Sequence, residues 1–158
     1  MEATPVALRR ARKADSFAAF AVRRKAILNL SSSELSRAEA DAWATGVSLG
    51  RLAQSIADHE VWVATIGPRI AGWVRFRGNR IRGLYVEPSA AGAGIGSLLL
   101  DRAEGLIAQA GYPEILLEAN WTAVPFYEYR GYRRAGETRP NEPVLLRKDP
   151  VEAPEDPL

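Results

Sequence analysis

The chain has no cysteine and a single histidine, His59. Disulfides, thiolate metal sites and a cysteine nucleophile are therefore excluded, and one imidazole cannot build a histidine-based zinc centre. No EF-hand calcium loop is present either, so no metal is expected. No apolar run approaches the roughly 20 residues that cross a bilayer as a helix. The first residues also lack an apolar signal-peptide core, so the expected compartment is cytoplasmic, with no membrane partner. A strong charge of one sign is missing as well: 21 Lys+Arg against 19 Asp+Glu leave a net charge of +2. That balance argues against a dedicated nucleic-acid binder. The basic runs RRARK (9–13) and RRK (23–25) read as solvated faces.

What is present is ordinary for a globular protein: 158 residues, 47% apolar and 25% charged, enough for one domain with a single core. The Pro- and acid-rich end DPVEAPEDPL (149–158) is expected to be a disordered tail, leaving 1–148 as the domain. VALRRA (6–11) reads as a strand. In SFAAFAVRRKAILNL, Phe17, Phe20, Ile27 and Leu28 recur at helical spacing, with Asp15 or Ser16 as N-cap. SSSELSRAEADAWATG (31–46) offers Ser and Glu capping signals and a second helix carrying Trp43. VSLGRLAQSIAD (47–58) is a third short helix or its continuation.

From Glu60 the pattern changes to short β-branched runs. VWVATI and IAGWVRFR are joined by a turn as a hairpin, and GNR turns into a further strand, IRGLYV. A glycine loop follows, then a helix with Ile95, Leu98, Leu99, Ala103, Leu106, Ile107 and Ala110 on one apolar face. EILLEA (114–119) reads as a buried strand, VPFYEYRGY as a short helix ended by Gly131, and two closing strands follow. The expected class is α/β (α+β). Helices flank a mixed sheet that is antiparallel at its hairpins and parallel where the long helix crosses over.

The loop itself, EPSAAGAGIGS, sets glycines at 92, 94 and 96 just ahead of a helix. Bare backbone there suits an anion held by amide N–H groups at the positive end of the helix dipole. One rival is a dinucleotide turn, with Ser97 at the third glycine place and Glu118 at the ribose position. Against it, residues 87–91 separate strand from first glycine, and too little chain follows Glu118 for the remaining parallel strands. The other rival is a turn without a ligand, which leaves the conformational entropy of three alternate glycines unexplained.

At this point the residues are similar to a known family. LYVEPSAAGAGIGSLLL resembles the acyl-CoA-binding signature of the GNAT superfamily of N-acyltransferases, and NWTAVPFYEYRGY resembles its second signature. The resemblance covers about residues 6–147 and implies a mostly antiparallel sheet of six to seven strands with a splayed central parallel pair. It implies acetyl-CoA as cosubstrate, its pyrophosphate cradled by Ala91, Gly92, Ala93, Gly94, Ile95, Gly96 and Ser97, with the amides of Ala93, Ile95 and Ser97 as donors. Leu84, Tyr85 and Val86 would pair with the pantetheine arm, Asn120 would hydrogen-bond it, and Phe126 and Tyr127 complete the coenzyme-binding set. Phe126 is also read as core packing. Where the family has Arg or Gln, this chain has Ala91, with Arg130 or Arg133 as substitutes for the missing contact.

Acyl transfer to an amine needs oxyanion stabilisation and protonation of the departing thiolate. The Val86 N–H is the expected oxyanion donor, and Tyr127 occupies the family's general-acid position. A phenol of pKa about 10 can donate to a nascent thiolate. The base is left open among Glu60, Glu87, Glu118 and a water relay, with Glu60 placed first; His59 is read as a surface residue. The acceptor is expected to be a small-molecule or peptide amine, and a homodimer is an open expectation. A non-catalytic acyl-CoA-binding module on the same fold is the alternative.

Overall fold

The computed structural model describes residues 5–29 and 48–150. The expected helix over 31–46, with Trp43, and the tail beyond residue 150 lie outside the described residues. The elements are β1 (Val6–Arg10), α1 (Ser16–Leu28), α2 (Leu49–Ala57), β2 (Val61–Ile66), β3 (Arg69–Arg77) and β4 (Arg80–Val86). They continue with α3 (Ile95–Gln109), β5 (Ile115–Ala119), α4 (Val124–Tyr129), β6 (Arg133–Arg134) and β7 (Val144–Lys148). The seven strands are ordered β1-β2-β3-β4-β5-β7-β6. Antiparallel pairs dominate, and β4 with β5 is the parallel pair that the α3 crossover requires.

Two compact units share this chain. The first runs to Arg75 and takes up again from Gly83 to Leu100. In it β1 and β2 pair from Val6↔Ile66 to Arg10↔Trp62, and the β2–β3 hairpin shifts register at Ala64/Thr65. Its core gathers Ala19, Val22, Leu52, Ile56, Val61, Val63, Ile70 and Trp73, each large aliphatic contributing about 1.5–3 kcal/mol by leaving water. The indole N–H of Trp73 is satisfied inside that core by the Ala19 carbonyl at 2.7 Å.

On helix α1 Ile27 is buried and Phe20 packs against the core, as their spacing predicts, and Ala19 and Val22 are buried with them, whereas Phe17 is 74% exposed. Asp15 stands at the N-cap position of α1, as expected, but its carboxylate does not bond to the helix. It makes a bidentate pair with Arg9 (2.7 and 3.0 Å) and accepts the Arg12 N–H at 2.7 Å, closing the 3-10 turn at 13–15. Ser16 donates to the Lys13 carbonyl and caps nothing.

The second unit holds Phe76–Arg82 and continues from Asp101. Arg80 and Ile81 pair in parallel with Leu116 and Leu117, and β5 pairs antiparallel with β7 from Ile115↔Lys148 to Ala119↔Val144. Its buried stripe includes Ile115, Leu117, Val144 and Leu146. Along α3 the buried residues are Ile95, Leu99, Leu100, Ala103 and Ile107. Leu98, expected on that face, is exposed, and Leu100 takes its place. No helix among the described residues is long and apolar enough to cross a membrane.

Candidate functional site

In the first unit β4 ends at Val86, and the Glu87 N–H donates to the Ala71 carbonyl of β3 at 2.8 Å. Strand alternation then turns the amides of Val86 and Leu84 away from β3, leaving them as edge donors on that side. A 3-10 turn at Pro88–Ala90 reverses the chain into the loop. Gly72 of β3 permits the approach of the helix that follows. A Cβ there would stand 2.9 Å from the Tyr85 carbonyl oxygen, 3.0 Å from Ile95 and 3.1 Å from Leu99. The first turn of α3 is thereby seated on β3, and the loop ahead of it is held in place.

The amides of that loop divide into two sets. Ala91 donates to the Pro88 carbonyl at 3.1 Å and Ala93 to the Ala90 carbonyl at 3.4 Å. Ala93 is therefore already engaged, contrary to its expected role as a donor to ligand. The N–H groups of Gly92, Gly94, Ile95, Gly96 and Ser97 have no protein acceptor among the described residues. Gly92 and Gly94 adopt φ of +87° and +76°, the left-handed region that glycine enters without steric penalty. Residues 91–94 are exposed and Ile95 is buried, so the free donors line an open turn anchored by one apolar side chain. They stand at the positive end of a 15-residue helix. Its dipole amounts to about half an elementary charge there. Unpaired N–H groups at the positive end of a helix dipole are an arrangement suited to an anion.

The three carboxylates considered as bases are all ion-paired. Glu60 meets Arg75 at 3.6 Å, Glu87 meets Lys25 at 3.4 Å and Arg69 at 3.6 Å, and Glu118 meets Arg80 at 2.6 Å. Arg75 lies four residues along β3 from Ala71, the acceptor beside the end of β4. At the usual strand rise that is about 13 Å, so the structure does not bring Glu60 to the Val86 amide. His59 is exposed at φ +62°, where it terminates α2.

In the second unit Asn120 follows β5, and its Oδ1 accepts the Ala123 N–H at 3.0 Å. That bond closes the turn leading into α4 and leaves the Asn120 Nδ2 as a donor. Phe126, read as core packing, is more exposed than its neighbour Tyr127. Val124 and Tyr127, three residues apart, form the inward stripe of α4, with Tyr127 8% exposed, while Phe126 is 37% exposed. The two rings still meet edge to face, centroids 5.1 Å apart. Arg130 is committed to Asp101 on α3, and Arg133 lies 3.7 Å from Asp149, so neither stands as a free guanidinium.

Two features escaped sequence reasoning. Arg23, in a basic run read as solvated, is buried on α1 with its guanidinium 5.6 Å from the centre of the Tyr85 ring. Tyr132, Glu104 and Lys148 also form one hydrogen-bonded group. Its members are too far apart in sequence for any local pattern to join them. Only the Gly131–Tyr132 pair, a helix stop followed by an apolar residue, hinted at it.

Residues 31–146 match the family described as Acetyltransferase (GNAT) domain. The chain belongs to the GNAT acetyltransferase family. It is 29% identical over 115 residues to an uncharacterized N-acetyltransferase, YafP, of Escherichia coli K12, covering 73% of each chain. In fold it is similar to a GCN5-related N-acetyltransferase of Rhodopseudomonas palustris, with TM-score 0.85, 23% identity, and 94% and 98% of the two chains covered. It is likewise similar to the PaiA N-acetyltransferase of Thermoplasma acidophilum, a structure in complex with coenzyme A, with TM-score 0.78, 19% identity, and 92% and 99% covered. The mixed sheet with its parallel β4–β5 pair is thus the GNAT fold.

Proposed function

We propose that this GNAT protein moves an acetyl group from acetyl-CoA to a primary amine by direct attack within a ternary complex. The observation that carries the reading is the set of free amides at Gly92 and from Gly94 to Ser97 at the head of α3. Those donors match a diphosphate, and a fold relative is a coenzyme A complex. Leu84, Tyr85 and Val86 offer strand edge to the pantetheine arm, and the Asn120 Nδ2 donates to one of its carbonyls.

In the reaction, the neutral amine nitrogen bonds to the thioester carbon and the carbonyl becomes an oxyanion that accepts the Val86 N–H. The C–S bond then breaks. Tyr127 gives its phenolic proton to the leaving thiolate and recovers one from solvent, while the new amide nitrogen loses its extra proton. That proton leaves through water, because Glu60, Glu87 and Glu118 are each held by a cation. With no cysteine in the chain, no thiol is available to carry a covalent acyl group.

Thiol release from acetyl-CoA, measured with propylamine, spermidine, free lysine and a tripeptide, tests the activity. At least one of these amines is expected to raise release well above the amine-free rate. Tight coenzyme A binding with no turnover of any of them would instead identify a non-catalytic acyl-CoA-binding module.

A further inference from the structure

The end of α4 is built as a Schellman motif, with Tyr127 at its third-last helical position. The Gly131 N–H donates to the Glu128 carbonyl at 3.1 Å and the Tyr132 N–H to the Tyr127 carbonyl at 3.1 Å. Gly131 sits at φ +96°, as the residue after such a helix end must. The apolar contact that accompanies this motif is here a ring pair. Tyr132 meets Tyr127 edge to face, centroids 5.6 Å apart at 76°. One residue therefore holds both the main chain and the ring of Tyr127.

Tyr132 is itself anchored. It is 2% exposed, and its hydroxyl donates to Glu104 Oε2 on α3 at 2.8 Å. The other Glu104 oxygen accepts from Lys148 Nζ, at the end of β7, at 3.0 Å. Lys148 closes the group. Its ammonium stands 5.5 Å from the Tyr132 ring centre, and its Cε lies 3.5 Å from where a Gly131 Cβ would be. Both charged side chains are nearly buried, at 11% and 13% exposure, so the pair is screened little by water. Burial first, and then the Glu104 charge, push the Tyr132 phenol far above its ordinary range, so it stays a proton donor to Glu104 throughout the working pH range.

We infer that Tyr132, anchored by Glu104 and Lys148, is a positioning residue that sets the ring of Tyr127 for proton donation. This rests on the acid role proposed for Tyr127. Proton transfer requires the donor within hydrogen-bond reach of the thiolate, and a small misplacement of the ring lowers turnover without weakening coenzyme binding.

The experiment compares Tyr127→Phe, Tyr132→Phe and their double variant, using the amine turned over best in the panel above. Tyr132→Phe is expected to lower kcat about 10-fold with the KM for acetyl-CoA within about twofold. In the Tyr127→Phe background, the same change is expected to move the residual rate less than about twofold, because no phenol remains to be positioned. A second route avoids dependence on one variant. Glu104→Leu with Lys148→Met removes both buried charges and the hydroxyl's acceptor, an exchange that folds tolerate. It is expected to reproduce the kcat loss.

An equal loss from Tyr132→Phe in both backgrounds would overturn the inference, marking general damage. Full kcat in both Tyr132→Phe and the Glu104/Lys148 variant, with Tyr127→Phe impaired, would overturn it and leave the acid role standing. Full kcat in Tyr127→Phe would remove the acid role and this inference together.

Discussion

Replacing Gly94 by aspartate is expected to weaken coenzyme A binding at least about 100-fold while the protein stays folded. Gly94 sits at φ +76°, and a Cβ there meets no atom within 4 Å. The side chain therefore has room, and the backbone strain, about 1–2 kcal/mol, falls on folding stability in free and bound protein alike. The charge acts on binding. A carboxylate about 5 Å from a diphosphate oxygen opposes it by about 3 kcal/mol at an effective dielectric of 20, which corresponds to about two decades in affinity. Gly94→Ala isolates the backbone effect and is expected to bind within about 10-fold of the native protein. Calorimetry with coenzyme A reads both variants. Native affinity in Gly94→Asp would mean that the anion is not held at this turn.

Tyr127→Phe carries the second large effect. The variant keeps the ring that packs on Phe126 and Tyr132 and loses the dissociable proton. Removing a positioned general acid usually lowers turnover between about 10² and 10⁴-fold. A kcat loss of at least about 100-fold is expected, with coenzyme A affinity changed by less than about twofold, since the proposed diphosphate cradle lies in another part of the chain. Steady-state thiol release and calorimetry on the same preparation separate the two quantities. An unchanged kcat would transfer the acid role to solvent or to another residue.

Much of the fold was legible in the residues because local signals agreed with one another. The β-branched runs either side of Gly67 specified the hairpin, and the apolar spacing from Ile95 to Ile107 specified α3. The faces of helices were less legible. Phe17 and Leu98 obey helical spacing and are nonetheless exposed, while Leu100 and Arg23 are buried. Periodicity constrains spacing along a helix, whereas the tertiary partner chooses which overlapping stripe is covered. The same ambiguity left Phe126, read as core, exposed while Tyr127 beside it on α4 is buried.

The site was legible to a similar depth. Glycines at 92 and 94 announced a left-handed turn ahead of a helix, and the free amides follow from that backbone. Ala93 was misassigned as a donor because spacing alone cannot show that Ala90 folds back to accept its N–H. The pairings of Glu60, Glu87 and Glu118 were invisible, since each joins residues brought together only by strand register or packing. The Tyr132–Glu104–Lys148 group is the extreme case, drawing on a loop, a helix and the last strand.

The amide spectrum of ¹⁵N-labelled protein, titrated with coenzyme A and separately with pantetheine, bears most directly on the diphosphate cradle. Coenzyme A is expected to shift the Gly92, Gly94, Ile95, Gly96 and Ser97 signals strongly, and pantetheine, which lacks the diphosphate, to leave them nearly in place. Saturable coenzyme A binding that moves other amides and leaves these five unchanged would contradict the assignment.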